Sequence, residues 1–138
     1  DTGAVWDGYF SDFDRNFSVG PPSAEVQAGW SQLIDATKAA VAIAKPGVIA
    51  AELYQAQAAI VGAGGSGRLG HGLGMQLTEQ PSHAAFDTTV LQEGMVLTLE
   101  PSLGYGDNLI MVHEENIVIR PDGAELLTRR AAPDLQVI

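Results

Sequence analysis

The sequence predicts an α+β fold in which helices pack on one face of an antiparallel sheet, and three observations predict it. The first residues read as a β-hairpin. Two helical stripes follow between Ser23 and Val61, and the rest alternates like short strands separated by turn residues. With 138 residues and 46% hydrophobic content the chain is long enough to bury the core of one domain.

Each element has its own signal. Val5-Trp6-Asp7-Gly8-Tyr9 carries an Asp-Gly turn, with Trp6 expected to pack at the turn and Tyr9, Phe13 and Phe17 following it. Pro21-Pro22-Ser23 stops the sheet. Ser23 is a candidate N-cap for a long helix whose apolar stripe runs through Val26, Trp30, Leu33, Ile34, Thr37 and Val41 and ends at Lys45-Pro46-Gly47. A second helix is expected from Ile49 to Val61, with Leu53 and Ile60 on one face, terminated by the glycines from Gly62 onward. Strands are expected around Met75-Gln76-Leu77, at Met95 to Leu99, Leu109 to Val112 and Asn116 to Ile119, with a turn at Pro121-Asp122-Gly123.

Composition removes several classes of function. Seventeen acids against seven bases give a formal charge of -10, and such a surface repels phosphate backbones and anionic lipid, so neither nucleic acid nor membrane is an expected partner. The apolar runs are broken well before the roughly 20 residues that cross a bilayer, which leaves a soluble, cytoplasmic protein as the expectation. Without cysteine, any metal must be held by oxygen and imidazole ligands. Gly62-Ala63-Gly64-Gly65-Ser66-Gly67 matches a dinucleotide fingerprint by letter, but it follows a helical run and opens into no helix, so it reads as a connector.

The acids themselves are patterned. A first turn centred between Trp6 and Asp7 places Asp1 opposite Asp12, and a later turn centred on Asp107 places Glu100 opposite Glu114. Opposed acids occur on any acidic surface, but two such pairs repel unless a cation lies between them, and a divalent ion suits oxygen donors. His71, in Gly70-His71-Gly72-Leu73-Gly74, is the imidazole to add. His113, next to Glu114, is expected on the opposite face by strand alternation and reads as structural.

The segments Asp1-Thr2-Gly3, Gly8 to Arg15, Gly70 to Gly74, Gly94 to Pro101 and His113 to Asn116 together resemble, in order and spacing, the five blocks of the pita-bread metallohydrolases, which include Xaa-Pro dipeptidase, aminopeptidase P and creatinase-like enzymes. The resemblance implies a curved antiparallel sheet with helices on one face, and that residues 1–138 are the C-terminal part of the catalytic domain. It also implies two divalent ions (Mn, Co or Zn), with Asp1 chelating one, Asp12 and Glu114 bridging both, and His71 and Glu100 completing the second. A metal-bridging hydroxide would then cleave a C–N bond, with Glu100 and His71 as catalytic residues and Glu100 as proton acceptor. Asp14 and Arg15 are expected to orient Asp12 through hydrogen bonds.

Two departures bear on substrate. Where family peptidases carry a second histidine, seven residues after the ligand His71, this chain has Thr78, which can donate a hydrogen bond but carries no charge. Where proline-specific members often have arginine, it has Val112. His83 is a further substrate-side candidate, although a loop histidine near proline is expected to be solvated. An Xaa-Pro-type peptidase acting on small peptides is the leading expectation. The alternatives are a hydrolase of small amidine, guanidino or cyclic compatible-solute substrates, creatinase-like or ectoine-hydrolase-like, and a non-catalytic binding domain. By the same resemblance the intact protein is expected to be a homodimer. The chain by itself is expected to be inactive, to hold no full metal pair and to associate through the face its missing half would cover, while Asp12, His71, Glu100 and Glu114 still converge.

Overall fold

Ser23 Oγ accepts a hydrogen bond from the Val26 N–H at 3.2 Å and opens helix α1 (Ala24–Ile43) in the computed structural model, which describes residues 1–63, 67–105 and 108–138. Before it come β1 (Thr2–Trp6), β2 (Tyr9–Phe13) and β3 (Phe17–Ser18). Helix α2 (Ala50–Val61) begins where the Glu52 carboxylate accepts from the Ile49 N–H at 2.8 Å, and it ends at Gly62 with φ 79°. Leu53 is fully buried while Ile60 is 38% exposed, so the expected stripe of α2 is buried only at its N-terminal end.

The remaining strands are β4 (His71–Gly72), β5 (Glu79–Ser82), β6 (Val96–Leu99), β7 (Ser102–Tyr105), β8 (Leu109–Val112), β9 (Glu115–Arg120), β10 (Gly123–Leu126) and β11 (Gln136–Val137). Five of them form one antiparallel sheet in the order β10-β9-β6-β4-β5. The β1–β2 and β7–β8 hairpins and a parallel β3–β11 pair complete the fold. Side chains alternate across a strand, so the pairs Leu97↔Ile117 and Leu99↔Glu115 share one face of the sheet and Thr98↔Asn116 the other. Leu97, Leu99, Ile117 and Ile119 are fully buried against Ala40 and Ala44 at the end of α1 and Leu53 of α2. Each such side chain contributes about 1.5 to 3 kcal/mol on burial. Trp30, Leu33 and Ile34 of α1 form a second cluster with Met111 and Leu135.

The first hairpin corrects its expected register. Asp7 (φ 50°) and Gly8 (φ 83°) are themselves the two central residues of the turn, because both tolerate positive φ, so the turn lies one residue later than expected. Trp6 therefore pairs with Tyr9 and Gly3 with Asp12, and by extension Asp1 stands level with Asp14 rather than Asp12. Glycine is required at position 3, where a Cβ would lie 2.5 Å from the Ser11 carbonyl oxygen. Trp6 does not pack at the turn; it is 85% exposed.

The strand expected at Met75–Leu77 is also corrected. These residues lie in a loop between β4 and β5, where Met75 and Leu77 are exposed and the Gln76 N–H is satisfied by the Glu79 carboxylate at 2.7 Å instead of by a neighbouring strand. The loop is tied to the first hairpin through Phe10 N–H, which donates to the Gly74 carbonyl at 2.8 Å. In the second hairpin Ser102 pairs with Val112, a register that extends to Glu100 level with Glu114; the turn expected at Asp107 falls outside the described residues, as does the middle of the glycine-rich connector. No helix among the described residues is long and apolar enough to cross a membrane.

Candidate metal centre

On the face of the sheet away from the helices, Asp12 from β2, His71 from β4 and Glu114 from the turn into β9 each present one ligand atom, all within 4.8 Å of one another. His71 Nδ1 lies 2.9 Å from the Gly72 carbonyl, a contact that is attractive only if Nδ1 carries the proton. The Nε2 lone pair is then left facing Asp12 Oδ2 and Glu100 Oε2, each at 3.8 Å. Burial pushes the His71 imidazole below its ordinary range, so these are contacts of a neutral ring and not ion pairs. The local chain holds these groups from behind: His71 N–H donates to Thr98 Oγ1 at 3.2 Å and Glu100 N–H to the Leu69 carbonyl at 3.1 Å.

The carboxylates are held against their own charge. Burial, then the neighbouring Glu100, Asp12 and Asp14, pushes Glu114 up to about 8. Burial likewise raises Glu100 and Asp12, with Asp14 adding to the rise at both. Glu114 Oε1 is buried with no hydrogen-bond partner among the described residues. An unpartnered buried carboxylate oxygen, crowded by other acids and by one imidazole with its lone pair free, is the donor set that a divalent cation satisfies. Ligand atoms up to 4.8 Å apart can be spanned by one ion with bonds of about 2.0 to 2.6 Å.

The other expected residues are placed differently. Asp1 is not among the converging ligand atoms; its side chain is 78% exposed and its α-ammonium pairs with Asp14 Oδ1 at 2.8 Å. Thr78 is exposed in the loop between β4 and β5. His83 is not solvated: it is fully buried, neither ring nitrogen has a hydrogen-bond partner among the described residues, and a Cβ on Gly70 would meet its Nδ1 at 2.5 Å. Its ring therefore lies directly behind the segment that carries His71, where burial, then the nearby His71, holds its pKa down at about 3.

That burial predicts an acid sensitivity. An unfolded His83 takes up a proton near pH 6.5 and the folded one only near 3, so its stabilising contribution is full above 6.5 and is lost as pH falls. Between pH 6.5 and 5, wild type should lose roughly 2 kcal/mol more than His83→Leu in urea titrations, at about 1.4 kcal/mol per pH unit. Equal losses would mean that the ring is not buried neutral.

Two groups of hydrogen bonds join β2 and the residues just after it to the start of β9 and the residue before it. Asp12 N–H donates to Asn116 Oδ1 at 3.2 Å while Asn116 Nδ2 donates to the Asp12 carbonyl. Arg15 Nη1 donates to the Glu114 carbonyl at 2.9 Å and to the Asp14 carbonyl at 2.7 Å, and Nη2 donates to Glu115 Oε2 at 2.8 Å. Arg15 thus braces Glu114 rather than Asp12, the residue it was expected to orient. Glu115, on the helix side, also accepts from the Thr128 hydroxyl and from Ala131 N–H. His113 lies on that side too, edge-on to Trp30 with ring centroids 5.1 Å apart, as strand alternation requires. Thr98 and Asn116 escaped the sequence reading, although both are polar residues beside apolar runs, in step with Glu100 and Glu114 at period two. A cavity of about 610 Å³ lined by Phe13, Arg15, Trp30 and Arg129 is separate from the converging acids; none of the four ligand candidates lines it.

Comparison with known proteins identifies the family and the fold. The family description Metallopeptidase family M24 matches residues 1–121. The chain is 38% identical over 135 residues to the Xaa-Pro dipeptidase of Pyrococcus furiosus, covering 94% of this chain and 38% of that relative. The crystal structure of X-Pro aminopeptidase from Thermotoga maritima superposes with a TM-score of 0.90 at 30% identity, over 99% of this chain and 40% of that one. Prolidase from Pyrococcus furiosus gives 0.88 at 34% identity, over 94% and 40%. The fold is that of the pita-bread enzymes, of which the chain spans well under half the length of these relatives. On both sequence and fold, the chain belongs to metallopeptidase family M24.

Proposed function

We propose that the protein carrying this chain is a metal-dependent peptidase that hydrolyses Xaa-Pro-type substrates. The convergence of Asp12, His71 and Glu114 within 4.8 Å, with Glu100 at 3.8 Å from His71 Nε2, carries the proposal. In this reading Asp12, His71, Glu100 and Glu114, with Asp1 as a further ligand, would hold two divalent ions (Mn, Co or Zn). When bound, such ions supply an activated water as nucleophile and polarise the scissile carbonyl.

The chain's own groups do the rest. Glu100, whose proton affinity is raised by burial, accepts a proton from the attacking water and returns it to the leaving nitrogen as the C–N bond breaks. His71 keeps Nε2 unprotonated because its Nδ1 proton is engaged by the Gly72 carbonyl. Thr78 offers an uncharged hydroxyl from the exposed loop between β4 and β5. Assay of Xaa-Pro dipeptides against small cyclic amidines, with metal content measured on the same preparation of the whole protein, tests the reading. No hydrolysis of any Xaa-Pro peptide by metal-loaded protein would sink it.

The threonine at position 78 favours a second reading, hydrolysis of a small amidine, guanidino or cyclic substrate, since an imidazole that could assist a peptide is missing there. Thr78→His is expected to raise kcat/KM on Xaa-Pro peptides by about tenfold, the yield of one added hydrogen bond of about 1.4 kcal/mol, and to leave metal affinity unchanged. A change in metal affinity instead would place residue 78 at the metal and not on the substrate side.

A further inference from the structure

We propose that Asn116 is a positioning residue for Asp12, acting with its cross-strand partner Thr98 as the floor of the metal centre. β2 is not a member of the five-stranded sheet, so the backbone that carries Asp12 lacks ladder bonds to β9. Asn116 supplies them. Its side-chain amide accepts from Asp12 N–H and donates to the Asp12 carbonyl, pairing with one residue as a neighbouring strand would. The amide is 2% exposed, which leaves water little access to compete for either bond.

Thr98 stands opposite Asn116 in the register of β6 and β9 and is fully buried. Its hydroxyl accepts from His71 N–H at 3.2 Å. One cross-strand pair therefore fixes the backbone of Asp12 and the backbone of His71. Without Asn116, β2 could shift relative to the sheet and separate Asp12 from its two partners, a displacement that matters only when the three must meet one ion.

The inference rests on the metal-centre reading, and Co²⁺ titration of the metal-stripped whole protein, followed by visible absorption, separates the two. Asn116→Leu keeps the branched heavy-atom shape and removes both bonds; it is expected to weaken Co²⁺ binding by about ten- to hundredfold. Exchange of the Asp12 amide hydrogen should quicken at least about tenfold, a change that general destabilisation would spread over the whole sheet. Asn116→Ser, too short to reach both backbone groups, carries the same expectation if leucine prevents folding. Ile119→Val, on the opposite face of the same strand, serves as the control for lost stability alone.

Co²⁺ affinity within threefold of wild type in a folded Asn116 variant would overturn the inference while leaving the metal centre standing. So would an equal loss in Ile119→Val. Wild-type protein that binds no Co²⁺ would overturn both.

Discussion

Replacing His71 or Glu100 by alanine in the whole protein is expected to lower kcat/KM on its substrate by about a thousandfold or more while the chain stays folded. The reason is the asymmetry between what these groups do for the fold and what they do for the reaction. Partial burial, with Asp14 and Asp12 adding to it, raises the proton affinity of Glu100, so its removal relieves desolvation and repulsion and costs the metal-free fold little. In the reaction it would be both a metal ligand and the proton carrier, and loss of several kcal/mol of transition-state stabilisation is a factor of about ten for each 1.4 kcal/mol. His71 contributes its free Nε2 to the centre, whereas its fold-stabilising contacts run mainly through its backbone N–H to Thr98 and its Nδ1 to Gly72. Steady-state kinetics with thermal unfolding of the same preparations checks this. Activity within tenfold of wild type in either folded variant would remove the residue from the site.

The metal-free protein is expected to lose roughly 2 kcal/mol of stability between pH 6.5 and 8, and divalent metal should abolish the loss. Glu114 is raised from 4.5 unfolded to about 8 folded, so the folded chain binds the extra proton. The stabilisation is full below 4.5 and disappears as pH rises through 8. Above 6.5 the lowered His83 and His113 no longer contribute to the slope, because their unfolded forms are neutral there too. Glu114→Gln should flatten the dependence, and a saturating ion, which takes the proton's place, should stabilise more at pH 8 than at 6.5. Urea midpoints in chelator and in Mn²⁺ at both pH values decide it. A flat metal-free profile would mean that Glu114 is solvated.

Much of this architecture is legible in the sequence. Ser23 as a cap, the α1 stripe through Trp30, Leu33 and Ile34, and the strands at Val96–Leu99 and Leu109–Val112 all follow from local periodicity and appear as expected. The first hairpin was misjudged by one step because an Asp-Gly pair can be flanked or centred by the turn, and only the φ angles of Asp7 and Gly8 distinguish the two. That error left Asp12 on the face of Asp1 but moved its direct partner to Gly3. Met75–Leu77 alternates like a strand, yet alternation does not reveal whether a neighbouring strand is there to pair with it. His83 was misread for the same reason: its burial depends on Leu69 and Gly70, whose N–H and carbonyl bond its backbone at 2.8 and 2.9 Å, and no local signal encodes that contact. Asp12, His71, Glu100 and Glu114 were named from spacing and resemblance, whereas the residues that brace them answer to tertiary geometry.

The alternation of His113, Glu114, Glu115 and Asn116 across the sheet makes this segment tolerant of substitution and intolerant of insertion. Two of the four serve the helix side, against Trp30 and Arg15, and two serve the acids on the other. A side-chain change damages one role at a time. One residue added or removed between Val112 and Ile117 would reverse all four, turning the imidazole and the Arg15 partner toward the acids and burying Glu114 against the helices. Length variation among functional versions of this protein should therefore be confined to its loops, with this stretch kept at constant length even where its letters change.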